Sequence, residues 1–110
     1  MNHKEIKRKI KKAIFEALGS IDEIVSVTIV GSFVDKDDLQ GISDIDTVVI
    51  CNSLNKTLYQ KCIKTISEIN IQECGLSDYS LRINPTFGPL KFDKEKLAIV
   101  HLMIYDINLH

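Results

Sequence analysis

The chain has little of what marks secreted, membrane-embedded or repetitive proteins. Its 110 residues include only three cysteines, and none of them forms a Cys-x-x-Cys pair. Three cysteines cannot all pair within one chain, which favours a reducing, cytoplasmic compartment. No apolar run approaches the roughly 20 residues that cross a bilayer, and the charged N-terminus lacks the apolar core of a secretory signal. These absences predict a cytoplasmic protein with no membrane association.

The chain also lacks a large net charge, and the charges that it has are unevenly distributed. The formal net charge is −1, which gives no indication that the chain as a whole is attracted to nucleic acid or to a membrane surface. Six cations crowd residues 4–12 against Glu5 alone, and five aspartates lie within residues 35–46 against Lys36 alone. The basic segment is consistent with a solvated helix face, or with contact to RNA, a triphosphate or an acidic partner. The acidic segment would need metal cations to hold any anionic ligand.

A chain of this length forms one domain with a modest core, and residues 1–110 show no repeat or linker. Asn52 and Ser53 are good caps for a second helix, and Gly75 provides its stop. Apolar spacing and turn residues predict, in order, helix 3–18, strand 24–30, polar loop 33–43, strand 44–50, helix 54–73, strand 79–83, turn 86–89 and strand 97–105. The fold class is therefore α+β, with order α-β-β-α-β-β: a small mixed sheet of four strands with two helices on one face.

The most informative motif joins the ends of the first two strands. Gly31 and Ser32 close one apolar strand, and Asp44-Ile45-Asp46 opens the next. Side chains two residues apart on a strand share a face, so the two carboxylates would lie together and repel without a cation. Carboxylates suit Mg²⁺, which binds through one or two of them plus substrate phosphates, and a Gly-Ser turn offers N–H groups and a hydroxyl to phosphate. Taken separately, Asp44 and Asp46 could be capping or surface acids, and Gly31-Ser32 could be an ordinary turn at the end of a strand.

This arrangement resembles the minimal nucleotidyltransferase domain of the DNA polymerase beta superfamily. The resemblance is carried by Gly31-Ser32-Phe33, the spacer, and Gly41-Ile42-Ser43-Asp44-Ile45-Asp46. It implies a nucleotidyltransferase-like fold and transfer of a nucleoside monophosphate from a nucleoside triphosphate, with ATP expected, to a hydroxyl acceptor. It also implies catalytic and metal-binding roles for Asp44 and Asp46 with Mg²⁺ or Mn²⁺, and nucleotide binding by Gly31 and Ser32. Small stand-alone members often work beside an all-helical partner protein, which would supply acceptor specificity.

The chain departs from the family pattern at the expected third acid. By the resemblance, a later strand should supply this carboxylate, and the residue aligned with it is His101. Neutral imidazole is a poorer ligand for Mg²⁺ than carboxylate and suits Mn²⁺ or Zn²⁺ better, and it could act as a general base. The alternative is that His101 has no role in a site and is a core or sheet-face histidine whose ring N–H donates to a backbone carbonyl. Asp78 and Asp106 are other candidates for the third acid.

Three functions remain open on the sequence. The first is a nucleotidyltransferase with His101 in its catalytic site. Its hydroxyl acceptor could be a protein side chain, a tRNA end, an antibiotic or a small metabolite. The second is a catalytically degenerate module that binds nucleotide and metal or regulates, because His101 replaces the expected acid. The third is a structural partner that binds neither.

Overall fold

A computed structural model of the protein describes residues 2–36, 44–84 and 96–109, which form a four-stranded mixed sheet with helices packed against it. The strands lie in the order β1-β2-β4-β3. β1 pairs antiparallel with β2, whereas β2 and β3 both pair parallel with β4. The elements are α1 His3–Gly19, β1 Ile24–Val30, α2 Ser32–Asp35, β2 Ile45–Cys51, α3 Lys56–Ser67, a 3₁₀ helix Ile71–Cys74, β3 Ser80–Ile83, β4 Leu97–Asp106 and a 3₁₀ helix Ile107–Leu109.

The core lies between one face of the sheet and the two long helices. α1 begins after Asn2, whose side chain accepts a hydrogen bond from the Glu5 N–H, and its isoleucines at helical spacing are buried. Alternate residues of β2 face this core, and the residues between them lie on the other, more exposed face. The predicted fold class, including the open sheet face that carries the acids, is confirmed. No helix in the described residues has the length and apolar character needed to cross a bilayer.

Two predicted elements were wrong in part. Residues 33–35 of the predicted loop form, together with Ser32, the short helix α2, because the carbonyl of Gly31 accepts hydrogen bonds from the Val34 and Asp35 N–H groups. Residues 37–43, with Gly41 and Ser43 of the motif, lie outside the described residues, as does the predicted turn 86–89.

The predicted helix 54–73 is two helices. Asn55, rather than Asn52 or Ser53, caps α3 by accepting a hydrogen bond from the Leu58 N–H. α3 ends at Ser67, and Asn70 then caps a separate 3₁₀ helix that Gly75 terminates in the left-handed region. Side-chain caps thus set boundaries that apolar spacing left undefined.

Candidate metal and nucleotide site

The open face of the sheet brings together three residues that the sequence singled out. β2 and β4 run parallel, and their register sets Asp46 beside His101. Asp44 lies one residue before β2. The Nδ1 atom of His101 is 3.4 Å from an Asp46 carboxylate oxygen and 3.8 Å from one of Asp44. Each residue offers one ligand atom, and these atoms all lie within 4.8 Å of one another.

The donor set of this group, two carboxylates and an imidazole, fits a divalent cation. Both aspartate side chains are about a third exposed and the histidine side chain about half, so water and substrate can reach them. Two carboxylates held this close repel each other, and a cation between them removes that repulsion. The two carboxylates suit Mg²⁺ or Mn²⁺, and an imidazole in the ligand set favours Mn²⁺ over Mg²⁺.

Gly31 places the bend after β1 directly beside Asp46. Val30 pairs with Asp46 across the β1–β2 ladder, so the next residue meets the Asp46 side chain. An added Cβ on Gly31 would lie 2.9 Å from an Asp46 carboxylate oxygen. Gly31 also has φ 85° and ψ −159°, a conformation that essentially only glycine adopts. The sequence suggested that this glycine admits a phosphate; the contact with Asp46 and the backbone conformation are further reasons that it missed.

Ser32 begins α2 immediately after this bend and is partly exposed. The first N–H groups of a helix have no partner within the helix, and this helix starts next to the acidic group. The predicted nucleotide-binding residue Gly31 therefore lies beside the predicted metal ligand Asp46 in space, although the two are far apart in sequence, and Ser32 directly follows Gly31.

The other two candidates for a third acid do not join the group. Asp78 lies before β3, where its carboxylate pairs with the Lys96 ammonium at 3.8 Å. Asp106 pairs in register with Cys51. Cys51 lies five residues along β2 from Asp46, so Asp106 is roughly 16 Å along the strand from the acidic group. Its carboxylate accepts hydrogen bonds from the Leu54 and Asn108 N–H groups. The β4 position that pairs with Asp46 belongs to His101.

Asn84 makes a contact next to the site that the sequence did not reveal. It follows β3, and its side-chain amide both donates to the Leu102 carbonyl at 3.2 Å and accepts from the Leu102 N–H at 2.7 Å. The side chain thus continues the β3–β4 ladder next to His101. Its φ of 46° is tolerated by asparagine. An asparagine before Pro85 signals a turn, and nothing in the sequence marks this bridge.

The cysteines take no part in the site. Cys51, Cys62 and Cys74 are free thiols and buried, which confirms that they behave as small apolar residues. Burial raises the pKa of each thiol, so they stay protonated and unreactive at neutral pH.

Comparison with protein families places this site in a known context. The family model described as the nucleotidyltransferase domain matches residues 8–105. The chain belongs to the nucleotidyltransferase domain family. Nucleotidyltransferase domains generally use divalent metals, and in this chain Asp44, Asp46 and His101 form a possible metal site. No curated protein and no solved structure matches the chain significantly.

Proposed function

We propose that the protein transfers a nucleoside monophosphate from a nucleoside triphosphate, with ATP as the expected donor, to a hydroxyl acceptor. The observation that carries the proposal is the group Asp44, Asp46 and His101, whose ligand atoms lie within 4.8 Å of one another on the open sheet face. Family membership supplies the reaction class, and the group supplies the cation ligands.

Each residue of the site has a role in this reaction. Asp44, Asp46 and His101 would hold a divalent ion, Mg²⁺ or Mn²⁺. Such an ion, when bound, offsets the charge on the attacking and leaving oxygens. The Ser32 hydroxyl and the N–H groups that follow Gly31 would bind the β- and γ-phosphates.

The transfer itself exchanges one bond to phosphorus for another. The acceptor oxygen forms a bond to the α-phosphorus, the bond to the bridging oxygen of the β-phosphate breaks, and pyrophosphate leaves. The acceptor hydroxyl loses its proton in this step. An imidazole that binds an ion through one nitrogen carries a proton on the other and cannot take a second, so His101 would accept this proton only when Asp44 and Asp46 alone hold the ion.

The acceptor is proposed only as a class. A protein side chain, a tRNA end, an antibiotic or a small metabolite each offers a suitable hydroxyl. An all-helical partner protein that supplies acceptor specificity, and a cytoplasmic location in keeping with three free thiols, are part of the same proposal.

Transfer of label from α-³²P-ATP tests the proposal. Asp44→Asn and Asp46→Asn should each lower transfer by at least about a hundredfold, because each removes a charged metal ligand. Asp78→Asn is the matched control, since Asp78 is exposed and outside the group, and it should retain activity. Undiminished transfer by both site variants would refute the proposal.

A second function follows from the histidine in the third position. His101 is half exposed and lies where the family pattern expects an acid, so the domain could bind nucleotide and metal without turnover. Calorimetry would then show binding of ATP with Mn²⁺ while no acceptor becomes labelled. Under this alternative, the wild-type protein transfers no label and His101→Asp should gain transfer activity. Transfer by the wild-type protein would contradict the alternative.

A further inference from the structure

A second feature, separate from the acidic group, is a strongly basic cavity between α1 and α2. Its volume is about 570 Å³. Five cations and two apolar residues line it: Lys4, Lys7, Arg8, Lys11, Lys36, Phe33 and Val34. Four of these cations occupy one face of α1 at spacings of three and four residues. The chain as a whole carries a net charge of −1, so this concentration is local.

Lys7 joins the two helices that form the cavity. The residue is only 8% exposed, and its ammonium donates a hydrogen bond to the Lys36 carbonyl. The same ammonium lies 5.3 Å from the centre of the Phe33 ring, which is itself buried. The cavity wall is therefore built by fixed contacts between α1 and α2, and the lysine brings its positive charge into that wall.

The arrangement of these charges is unfavourable for the helix alone. Like charges three or four residues apart on a helix repel, and cations in the first turns oppose the helix dipole. Lys4, Arg8 and Lys11 form such pairs on one face, whereas Glu5 does not line the cavity. A bound polyanion would remove this repulsion.

The dimensions indicate which polyanion fits. Lys4 and Lys11 are seven residues apart on α1, which is about 10 Å along the helix axis. A nucleic-acid strand carries one phosphate per roughly 3.4 Å when stacked, so about three phosphates span this row. Phe33 is too buried to stack on a base, and Val34 is exposed beside it. The contacts available are thus to the backbone and not to the bases.

We propose that this cavity binds the phosphate backbone of a single-stranded nucleic acid, without preference for base sequence. The cavity begins at Phe33, one residue after Ser32, so a bound strand would lie near the acidic group. The proposal does not depend on whether that group transfers nucleotides.

Fluorescence anisotropy with labelled ten-nucleotide strands of rA and rU tests the proposal. We expect both strands to bind with similar affinity, and the logarithm of the association constant to fall with the logarithm of salt concentration with a slope of about −2, from about −0.7 per phosphate. Lys4→Gln with Lys11→Gln should weaken binding to both strands and reduce the slope by about 1.4. The matched control is Lys9→Gln with Lys12→Gln, which removes the same charge from the same helix outside the cavity.

The outcomes separate nucleic acid from other anions and from the acidic group. Equal loss of binding in the two double variants would overturn the proposal, as would absence of binding by the wild-type protein. Inorganic triphosphate or a poly-aspartate peptide would also overturn it if either bound more tightly than the rA and rU strands and lost that binding in the Lys4/Lys11 variant. The cavity would then be assigned to that ligand. Asp46→Asn should not weaken strand binding, because it only removes a negative charge near the strand, so failure of the transfer assay and failure of this proposal are distinguishable.

Discussion

Gly31 shows how a residue without a side chain allows the close approach of another. Its backbone adopts a conformation that side chains disfavour, and its α-carbon faces the Asp46 carboxylate at a distance that leaves no room for a methyl group. Both constraints act at the point where β1 passes into α2. The glycine therefore fixes where the acid lies relative to the Gly-Ser bend.

Gly31→Ala should lower the free energy of unfolding by about 1–3 kcal/mol, because an alanine is strained at this φ and its Cβ meets Asp46. Urea unfolding measures the change. Gly19→Ala is the matched control: Gly19 ends α1 with nothing within 4 Å of an added Cβ, so alanine should raise stability by up to about 1 kcal/mol. Equal effects of the two substitutions would contradict the strain at Gly31.

Between elements, the important junction is the one that holds β4 in place. β3 is only four residues long and ends at Ile83. Asn84 extends the pairing of β3 with β4, because its side-chain amide bonds to the Leu102 backbone where a further β3 residue would otherwise do so. The same amide donates to the Tyr59 hydroxyl at 3.3 Å. This bridge links β3, β4 and α3 one residue from His101.

Asn84→Ala should cost about 1–3 kcal/mol of stability, because the Leu102 N–H and carbonyl lose their partners in a partly buried position. Hydrogen exchange of the Leu102 amide should accelerate in this variant. Asn84→Asp keeps an acceptor for that N–H and should protect it more than alanine does. Unchanged protection of the Leu102 amide in the alanine variant would show that the bridge does not hold the strand.

For the whole molecule, a divalent ion would tie together parts of the chain that are distant in sequence. Asp44 and Asp46 belong to β2 and the segment before it, whereas His101 comes more than fifty residues later. The unfolded chain does not hold these groups together. Binding therefore stabilises only the folded domain.

Mn²⁺ with ATP at about 100 times the dissociation constant should raise the free energy of unfolding by about 2.7 kcal/mol, which is on the order of 10 °C in melting temperature. Thermal unfolding measures the shift. Asp46→Asn should abolish it, and Asp78→Asn should preserve it. Absence of a shift with Mg²⁺, Mn²⁺ and ATP in the wild type would favour a structural partner that binds neither metal nor nucleotide.

Local patterns in the chain were enough to predict β1 and most of β4. The β4 run fits a buried helix by periodicity alone, and its β-branched residues and short flanks favoured the strand. They were not enough for α2 or the end of α3. A four-residue helix has no apolar period, and several neighbouring Asn and Ser residues compete as caps. Element boundaries thus depend on individual hydrogen bonds that composition does not encode.

The motif around Gly31, Ser32, Asp44 and Asp46 could be read from the chain, because each residue type has a local chemical meaning at that spacing. The place of His101 beside Asp46 could not be read in the same way, since it depends on parallel pairing between β2 and β4. Likewise, the basic cavity exists only because α2 packs against α1 through Lys7. Short-range spacing specifies which groups are available, and long-range strand register and helix packing specify which of them meet.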